Sequence, residues 1–270
     1  MHEEIDRKKK INYVSTGDGE PLILIHGVGL DHTMWQPQLE YFSSFYKVYA
    51  YDMMGHGDSE KPVRDFYKLE DFSSQLYEFM KGLNIESAHI VGFSMGGLVA
   101  QEFCLSFPEK VKSLTIANSV ANRNDEERKL VLNRVKQVED EGNNATIGAA
   151  IERWFSKEYI KNNIDTTKKI RYRLETNDEK AYLNAYRVFA TADRELWDRL
   201  NQIQAPVFII TGENDKGSNP RMAKDMKGKI PHADICIVPD SKHMLPVENA
   251  LIFNKHVLHF MNQLKEVKSN

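Results

Sequence analysis

The sequence predicts an α/β fold built on a mostly parallel sheet, with a helical insertion between two groups of strands. Short apolar runs that end at Gly or Asp alternate with longer amphipathic stretches, as expected of successive βαβ units. From about residue 122 to residue 200, charged amphipathic segments replace the strand-like runs, and the strand pattern then resumes. Because strands flank this insertion on both sides, we expect one parent core at 1–121 and 201–270, with the insertion at 122–200.

The individual elements follow from the periodicity of the apolar residues. Strands are predicted at 21–26, 47–52, 89–93 and 111–118 and, after the insertion, at 206–211 and 235–238. Helices are predicted at 69–83 and 95–107, within the insertion at 125–143, 146–155, 166–175 and 178–191, and at the carboxyl end of the chain. The segment at 95–107 is apolar almost all round, which predicts a central helix.

Composition narrows the class of protein. A chain of 270 residues, 41% of them hydrophobic, can bury one large core. With 36 Lys and Arg against 39 Asp and Glu, the net charge of −3 gives no reason to expect binding to nucleic acid or to an anionic membrane.

Two cysteines and a charged amino-terminal segment indicate the compartment. Cys104 and Cys236 lie in apolar contexts, so we expect buried free thiols in a reducing environment. The first ten residues carry charges where a secretory signal needs an apolar run, and no stretch approaches the roughly 18 apolar residues of a membrane span. We expect a cytoplasmic protein, as a monomer or homodimer.

A Gly-x-Ser-x-Gly motif at 92–96 joins a predicted strand to a predicted helix. In that context the motif predicts a nucleophile elbow, a sharp turn that exposes the oxygen of Ser94 at a helix amino terminus. The alternative interpretation is a serine that only caps the helix, followed by packing glycines.

A serine nucleophile needs a histidine base oriented by a carboxylate, in the chain order Ser, acid, His. Asp215 follows the strand at 206–211, and His243 follows the strand at 235–238, so both lie at the carboxyl edge of the sheet. We predict a catalytic triad of Ser94, Asp215 and His243, with Glu213 as the rival acid.

The tetrahedral intermediate of acyl transfer also needs hydrogen-bond donors for its oxyanion. The glycine-bearing turn after the first predicted strand can offer the backbone N–H of Val28, and the residue after the nucleophile offers that of Met95. The segment 52–59 contains one histidine among glycines and no second cluster, so we interpret it as a structural turn and predict no metal site.

Taken together, these motifs resemble the α/β-hydrolase superfamily over essentially the whole chain: His26-Gly27, residues 52–59, the serine elbow, residues 212–215, and His243 with Glu248 beyond it. The resemblance implies an eight-stranded mostly parallel sheet, a helical cap inserted after strand six, the triad given above and no cofactor. Met54 stands where relatives often carry arginine. A serine at the elbow disfavours dehalogenase and epoxide-hydrolase activities, whose enzymes use aspartate there.

Within the superfamily, the insertion resembles the caps of 3-oxoadipate enol-lactonases and acylaminomethylene-succinate hydrolases. This implies a serine hydrolase that cleaves an activated acyl bond, an enol-lactone, an enamide or an ester, of a small carboxylated metabolite from ring-cleavage catabolism. Two alternatives stay open: a carbon–carbon bond hydrolase of ring-fission diketones, and a small-ligand receptor that retains the triad without turning over.

The cap supplies candidate residues for binding a carboxylate. Arg134, Arg153 and Arg187 lie on segments that also carry apolar or aromatic residues, among them Trp154 and Tyr186. A guanidinium pairs with a carboxylate through two parallel hydrogen bonds. We predict that Arg187, with Arg153, Trp154 and Tyr186 beside it, binds the substrate, the alternative being that all three arginines are solvated surface charges.

Overall fold

The computed structural model describes residues 2–6 and 11–269. Its central sheet has eight strands, in the order β1-β2-β4-β3-β5-β6-β7-β8. Their bounds are β1 His2–Asp6, β2 Ile11–Thr16, β3 Pro21–Ile25, β4 Lys47–Tyr51, β5 Ala88–Phe93, β6 Val111–Ala117, β7 Val207–Gly212 and β8 Asp234–Val238. The pairs β1–β2 and β2–β4 are antiparallel, and all the others are parallel.

The helices are α1 Gln36–Phe42, α2 Leu69–Gly82, α3 Met95–Ser106, α4 Asp125–Glu141, α5 Ile147–Trp154, α6 Lys157–Asn162, α7 Ile164–Glu175, α8 Glu179–Trp197, α9 Pro220–Lys229, α10 Leu245–Glu248 and α11 Ala250–Ser269. Helices α2, α3 and α9 cover one face of the sheet, and α1 and α11 cover the other. Every residue of α3 from Met95 to Cys104 is buried, so the predicted central helix is confirmed.

Five helices, α4 to α8, lie between β6 and β7 and form the cap. The predicted α/β-hydrolase fold, with a helical insertion after the sixth strand, is therefore confirmed. Helix α6 was not predicted. It has only six residues, and because none of them is fully buried, no apolar stripe marks it in the sequence. Within the cap, α4 packs against α8 and α5 against α7.

Other features also differ from the expectations, and strand β1 was not among the predicted strands. Strand β2 was not predicted because residues 11–14 are all buried, which removes the alternation that marks a half-exposed strand. Cys104 is buried as expected, but Cys236 is only half-buried because it lies on the edge strand β8. In the described part of the chain, no helix is long and apolar enough to cross a membrane.

Candidate active site

Ser94 sits in a strained turn between β5 and α3. Its φ of 53° and ψ of −115° place a non-glycine residue in the left-handed half of backbone space. Gly92 and Gly96 permit this turn, because a Cβ on Gly92 would overlap the carbonyl of Gly96, and a Cβ on Gly96 would overlap that of Ile25. The local sequence therefore folds into the sharp strand-to-helix turn that the motif predicts.

His243 and Asp215 form a buried pair at the carboxyl edge of the sheet. The Nδ1 of His243 lies 2.7 Å from Oδ2 of Asp215. Because an ionised carboxylate only accepts, the ring carries its proton on Nδ1 and leaves Nε2 free to accept another. The ring centroid of His243 lies 5.0 Å from that of Phe93, the residue before Ser94.

Asp215 is held in place by four donors. Its Oδ1 accepts the backbone N–H groups of Gly217 and Ser218, each at 2.9 Å, and its Oδ2 accepts from His243 and from Nδ2 of Asn118 at 2.9 Å. Burial acts to raise the pKa of Asp215, but the His243 charge and these hydrogen bonds outweigh it and hold that pKa below its ordinary value. The carboxylate is therefore ionised and oriented.

The rival acid faces away from the histidine. Glu213 is exposed, and its Oε2 accepts the backbone N–H of Asp240 at 3.2 Å. The geometry favours Asp215 because the short strand-end loop directs its side chain inward and that of Glu213 outward.

Both predicted oxyanion donors lie next to the nucleophile. Met95 is the first residue of α3, so its N–H has no acceptor within the helix. Val28 belongs to the turn after β3, in which the N–H of Leu30 donates to the carbonyl of Gly27 at 3.2 Å. Val28 lines the same cavity as Ser94. Both N–H groups are therefore available at the turn where an oxyanion would form.

A cavity of about 250 Å³ lies between the cap and the sheet edge. Its volume suits a small molecule. The ring of Trp154 lies 5.8 Å from that of His243, so the cap wall reaches the predicted base. The predicted site residues that line this cavity are Val28, Ser94, Arg153, Trp154, Tyr186, Asp215 and His243.

Two arginines of the cap face this cavity without an acidic partner. Arg134 donates from Nε to the hydroxyl of Tyr186 at 3.2 Å, and Arg153 donates to the carbonyl of Ala149 at 3.2 Å. Among the described residues, no carboxylate lies within 4.0 Å of either guanidinium. Burial lowers the pKa of Arg153, and the neighbouring charge of Arg134 lowers it further. The cavity is therefore lined by two cap arginines that have no ion-pair partner among the residues that the structure describes.

The structure does not place Arg187 at this cavity, which corrects our first choice of carboxylate ligand. Arg187 is 40% exposed and pairs with Glu139 at 2.6 Å on the outer side of α8. Its neighbour Tyr186 faces inward, because adjacent helix positions point about 100° apart. The apolar periodicity around Arg187 thus belongs to other positions of the helix.

The segment 52–59 is a turn organised by a buried carboxylate. Asp52 accepts the backbone and ring N–H groups of His32 on Oδ1, and the Asn12 side chain and Asp58 N–H on Oδ2. At Met54, where relatives often have arginine, the backbone N–H donates to Gln75 at 2.8 Å. These contacts support a structural role for the segment.

Within residues 2–6 and 11–269, no group of three or more His, Cys, Asp or Glu side chains is arranged to hold a metal ion. That the protein needs no metal or cofactor stays a prediction.

Asn118 is a residue of the site that was not predicted from the sequence. It directly follows β6, at the same sheet edge as the triad, and that position was the available signal.

Comparisons with known proteins agree with this architecture. A model of the alpha/beta hydrolase fold family matches residues 20–250. The chain is 31% identical over 242 residues to the (E)-2-((N-methylformamido)methylene)succinate hydrolase of Acinetobacter baylyi, covering 90% of each chain. It is 28% identical over 249 residues to 3-oxoadipate enol-lactonase 2 of the same organism, covering 92% of this chain and 91% of that one.

A solved structure is similar over nearly the same extent. The enol-lactonase of Burkholderia xenovorans superposes with a TM-score of 0.88 at 25% identity, covering 97% of this chain and all of that one. From the extent of the family match, the elbow and the sheet order, we conclude that this chain belongs to the α/β-hydrolase family.

Proposed function

We propose that this protein is a serine hydrolase that cleaves an activated acyl bond of a small carboxylated metabolite, such as one produced by ring cleavage. The observation that carries the proposal is the pair of uncompensated arginines, Arg134 and Arg153, in the cavity that also contains Ser94. The names of the two relatives, a succinate hydrolase and an enol-lactonase, support the same class of substrate.

The geometry supports a stepwise reaction. His243 accepts the proton of Ser94 on Nε2 as the seryl oxygen attacks the carbonyl carbon, while Asp215 stabilises the imidazolium through Nδ1–H. The N–H groups of Val28 and Met95 receive the negative oxygen of the tetrahedral intermediate. His243 then protonates the leaving group as the acyl bond breaks, and a water attacks the remaining acyl-enzyme by the same route to release the acid.

The arginines supply recognition. A carboxylate between two guanidinium groups gains charge-assisted hydrogen bonds in a site that excludes most water. It also relieves the repulsion between the two like charges, which adds to burial in lowering the pKa of Arg153. A neutral substrate gains neither effect, so the site should discriminate on charge.

A pair of matched esters tests the proposal. The mono-p-nitrophenyl ester of succinate carries a carboxylate where p-nitrophenyl butyrate carries a methyl group. Arg153→Ala should raise KM for the succinate ester about ten-fold to a hundred-fold, as expected for losing a hydrogen bond to a charged group, and should change KM for the butyrate ester little.

Arg187→Ala is the matched control, because Arg187 lies on the same cap but pairs with Glu139 outside the cavity. Arg187→Ala should leave KM unchanged for both esters. Equal losses on both esters in Arg153→Ala would indicate damaged packing and contradict carboxylate binding. Absence of ester turnover in the wild type would contradict the hydrolase itself and favour a receptor, whereas cleavage confined to a ring-fission diketone would favour the carbon–carbon hydrolase.

A further inference from the structure

The turn that carries Val28 is held by the cap as well as by the core. In this turn the φ of Gly29 is +76°, the conformation that a type II turn requires at its third residue. The turn is closed by the Leu30 N–H, which donates to the Gly27 carbonyl at 3.2 Å. The N–H of Val28 belongs to the same planar peptide as the Gly27 carbonyl, so the hydrogen bond that closes the turn also sets the direction of this N–H.

On the core side, the carbonyl of Gly27 accepts a second hydrogen bond. The Nδ1–H of His26 donates to it at 2.7 Å, and His26 in turn accepts the N–H of Met53 on Nε2 at 2.9 Å. Burial lowers the pKa of His26, which keeps the ring neutral and able to accept at Nε2. This arrangement fixes the first half of the turn.

On the cap side, the second half of the turn is fixed by Asn177, which lies between α7 and α8. Its Nδ2 donates to the carbonyl of Gly29 at 2.8 Å. The peptide between Gly29 and Leu30 is therefore held at its carbonyl by the cap, and its N–H donates to the Gly27 carbonyl, which shares a peptide with the Val28 N–H. Asn177 is 6% exposed, so this hydrogen bond is shielded from water.

The amide of Asn177 is itself oriented by its neighbours. Arg173 donates from Nη2 to Oδ1 of Asn177 at 3.0 Å, which directs Nδ2 towards Gly29. The side chain of Asn143 donates to the backbone carbonyl of Asn177 at 3.2 Å. The donor that reaches the turn is thus preorganised within the cap.

The cap also packs directly on the turn. A Cβ on Gly29 would lie 2.8 Å from Cε2 of Tyr182 and 2.9 Å from Cδ2 of Leu174, so only glycine fits between the turn and the cap. Tyr182 lines the catalytic cavity. The wall of the substrate cavity and the oxyanion turn are therefore in contact.

We infer that Asn177 is a positioning residue for the oxyanion hole: its hydrogen bond to Gly29 holds the turn that aims the Val28 N–H at the developing negative charge. This inference rests on the proposed serine hydrolase mechanism. Catalysis would then depend on the position of the cap relative to the core, through the Asn177–Gly29 hydrogen bond. This contact is separate from those that bind the substrate carboxylate.

Asn177→Asp removes the donor, because a carboxylate keeps the size of the side chain and the acceptor for Arg173 but cannot donate to Gly29 or, at 3.3 Å, to the carbonyl of Leu174. With p-nitrophenyl butyrate, kcat should fall about ten-fold to a hundred-fold with KM within about three-fold, since an oxyanion donor acts chiefly on the transition state. Asn177→Ala should lower kcat by a similar factor, and this variant adds no charge. Thr176→Val is the control, because the Thr176 hydroxyl donates only within its own helix, to Tyr172 and Arg173, and kcat should not change.

Phenylboronic acid provides a readout that a merely structural role would not move. The Ser94 oxygen adds to boron, its proton passes to His243, and the resulting anionic tetrahedral boronate occupies the place of the intermediate. Boronate affinity should fall in both Asn177 variants by about the same factor as kcat, while inhibition by succinate is unchanged.

Active-site titration with a fluorophosphonate counts the folded enzyme in each preparation. Asn177 variants that titrate fully and bind the boronate as tightly as the wild type would overturn the inference while leaving the hydrolase mechanism intact. A wild-type protein that neither reacts with the fluorophosphonate nor turns over ester would instead contradict the proposed function, and the inference with it.

Discussion

At the scale of single residues, the orientation of the Asp215 carboxylate decides which ring nitrogen of His243 carries the proton. The N–H groups of Gly217 and Ser218 hold Oδ1, so Oδ2 faces the histidine. The charge interaction with His243, followed by the hydrogen bonds from His243, Ser218 and Asn118, keeps the pKa of this carboxylate low in spite of its burial. This orientation leaves Nε2 of His243 without a proton, as the proposed mechanism requires of its base.

Asp215→Asn tests this arrangement. The two backbone donors should keep the amide oxygen at Oδ1, which turns the amide nitrogen towards His243 and forces the tautomer that cannot accept the Ser94 proton. We expect kcat to fall on the order of 10³ to 10⁴ with little change in KM. Glu213→Gln is the matched control and should retain activity, since Glu213 contacts only the Asp240 backbone. The reverse result would assign the acid to Glu213.

At the scale of elements, patterns confined to one segment were predictable from sequence. The elbow serine and the strand-end positions of Asp215 and His243 depend only on which residues end each strand. Two features that were not predicted depend on partners far along the chain: β2 is buried on both faces by neighbouring elements, and Asn118 reaches Asp215 across 97 residues.

The cap shows the same division between local pattern and tertiary contact. Its helices follow from their apolar periodicity, but the choice among its arginines does not. Arg153 and Arg187 each have aromatic neighbours in sequence, and only the packing of α5 and α8 over the sheet edge turns Arg153 to the cavity and leaves Arg187 beside Glu139. Adjacent positions on a helix point about 100° apart, so an error of one position is enough to assign a surface side chain to the cavity.

At the scale of the whole molecule, the buried histidines link stability to pH. His56 is fully buried, and its Nδ1–H donates to the carbonyl of Met54 at 3.0 Å. Burial, with a smaller contribution from the neighbouring His26, lowers the pKa of His56 to about 3. The unfolded chain, with an ordinary histidine pKa near 6.5, binds this proton more readily, so the stabilising effect is complete above pH 6.5 and is lost as pH falls towards 3.

The variant His56→Asn keeps a donor for Met54 but cannot take up a proton. Between pH 7 and pH 5 the wild type should lose about 2 kcal/mol more free energy of unfolding than this variant, as measured by urea denaturation at each pH. The comparison of slopes cancels the contributions of the other ionisable groups, which both proteins share. Parallel pH profiles would show that the ring titrates in the folded state with an ordinary histidine pKa, which would contradict this link.

The most direct test of the account is a comparison of turnover and binding in Ser94→Ala with the mono-p-nitrophenyl ester of succinate. Loss of the seryl oxygen should lower kcat on the order of 10⁴ to 10⁶. Affinity for succinate should stay close to that of the wild type, because Arg134 and Arg153 lie in the cap and do not depend on the elbow side chain. A Ser94→Ala protein that hydrolyses the ester at a near wild-type rate would contradict the mechanism.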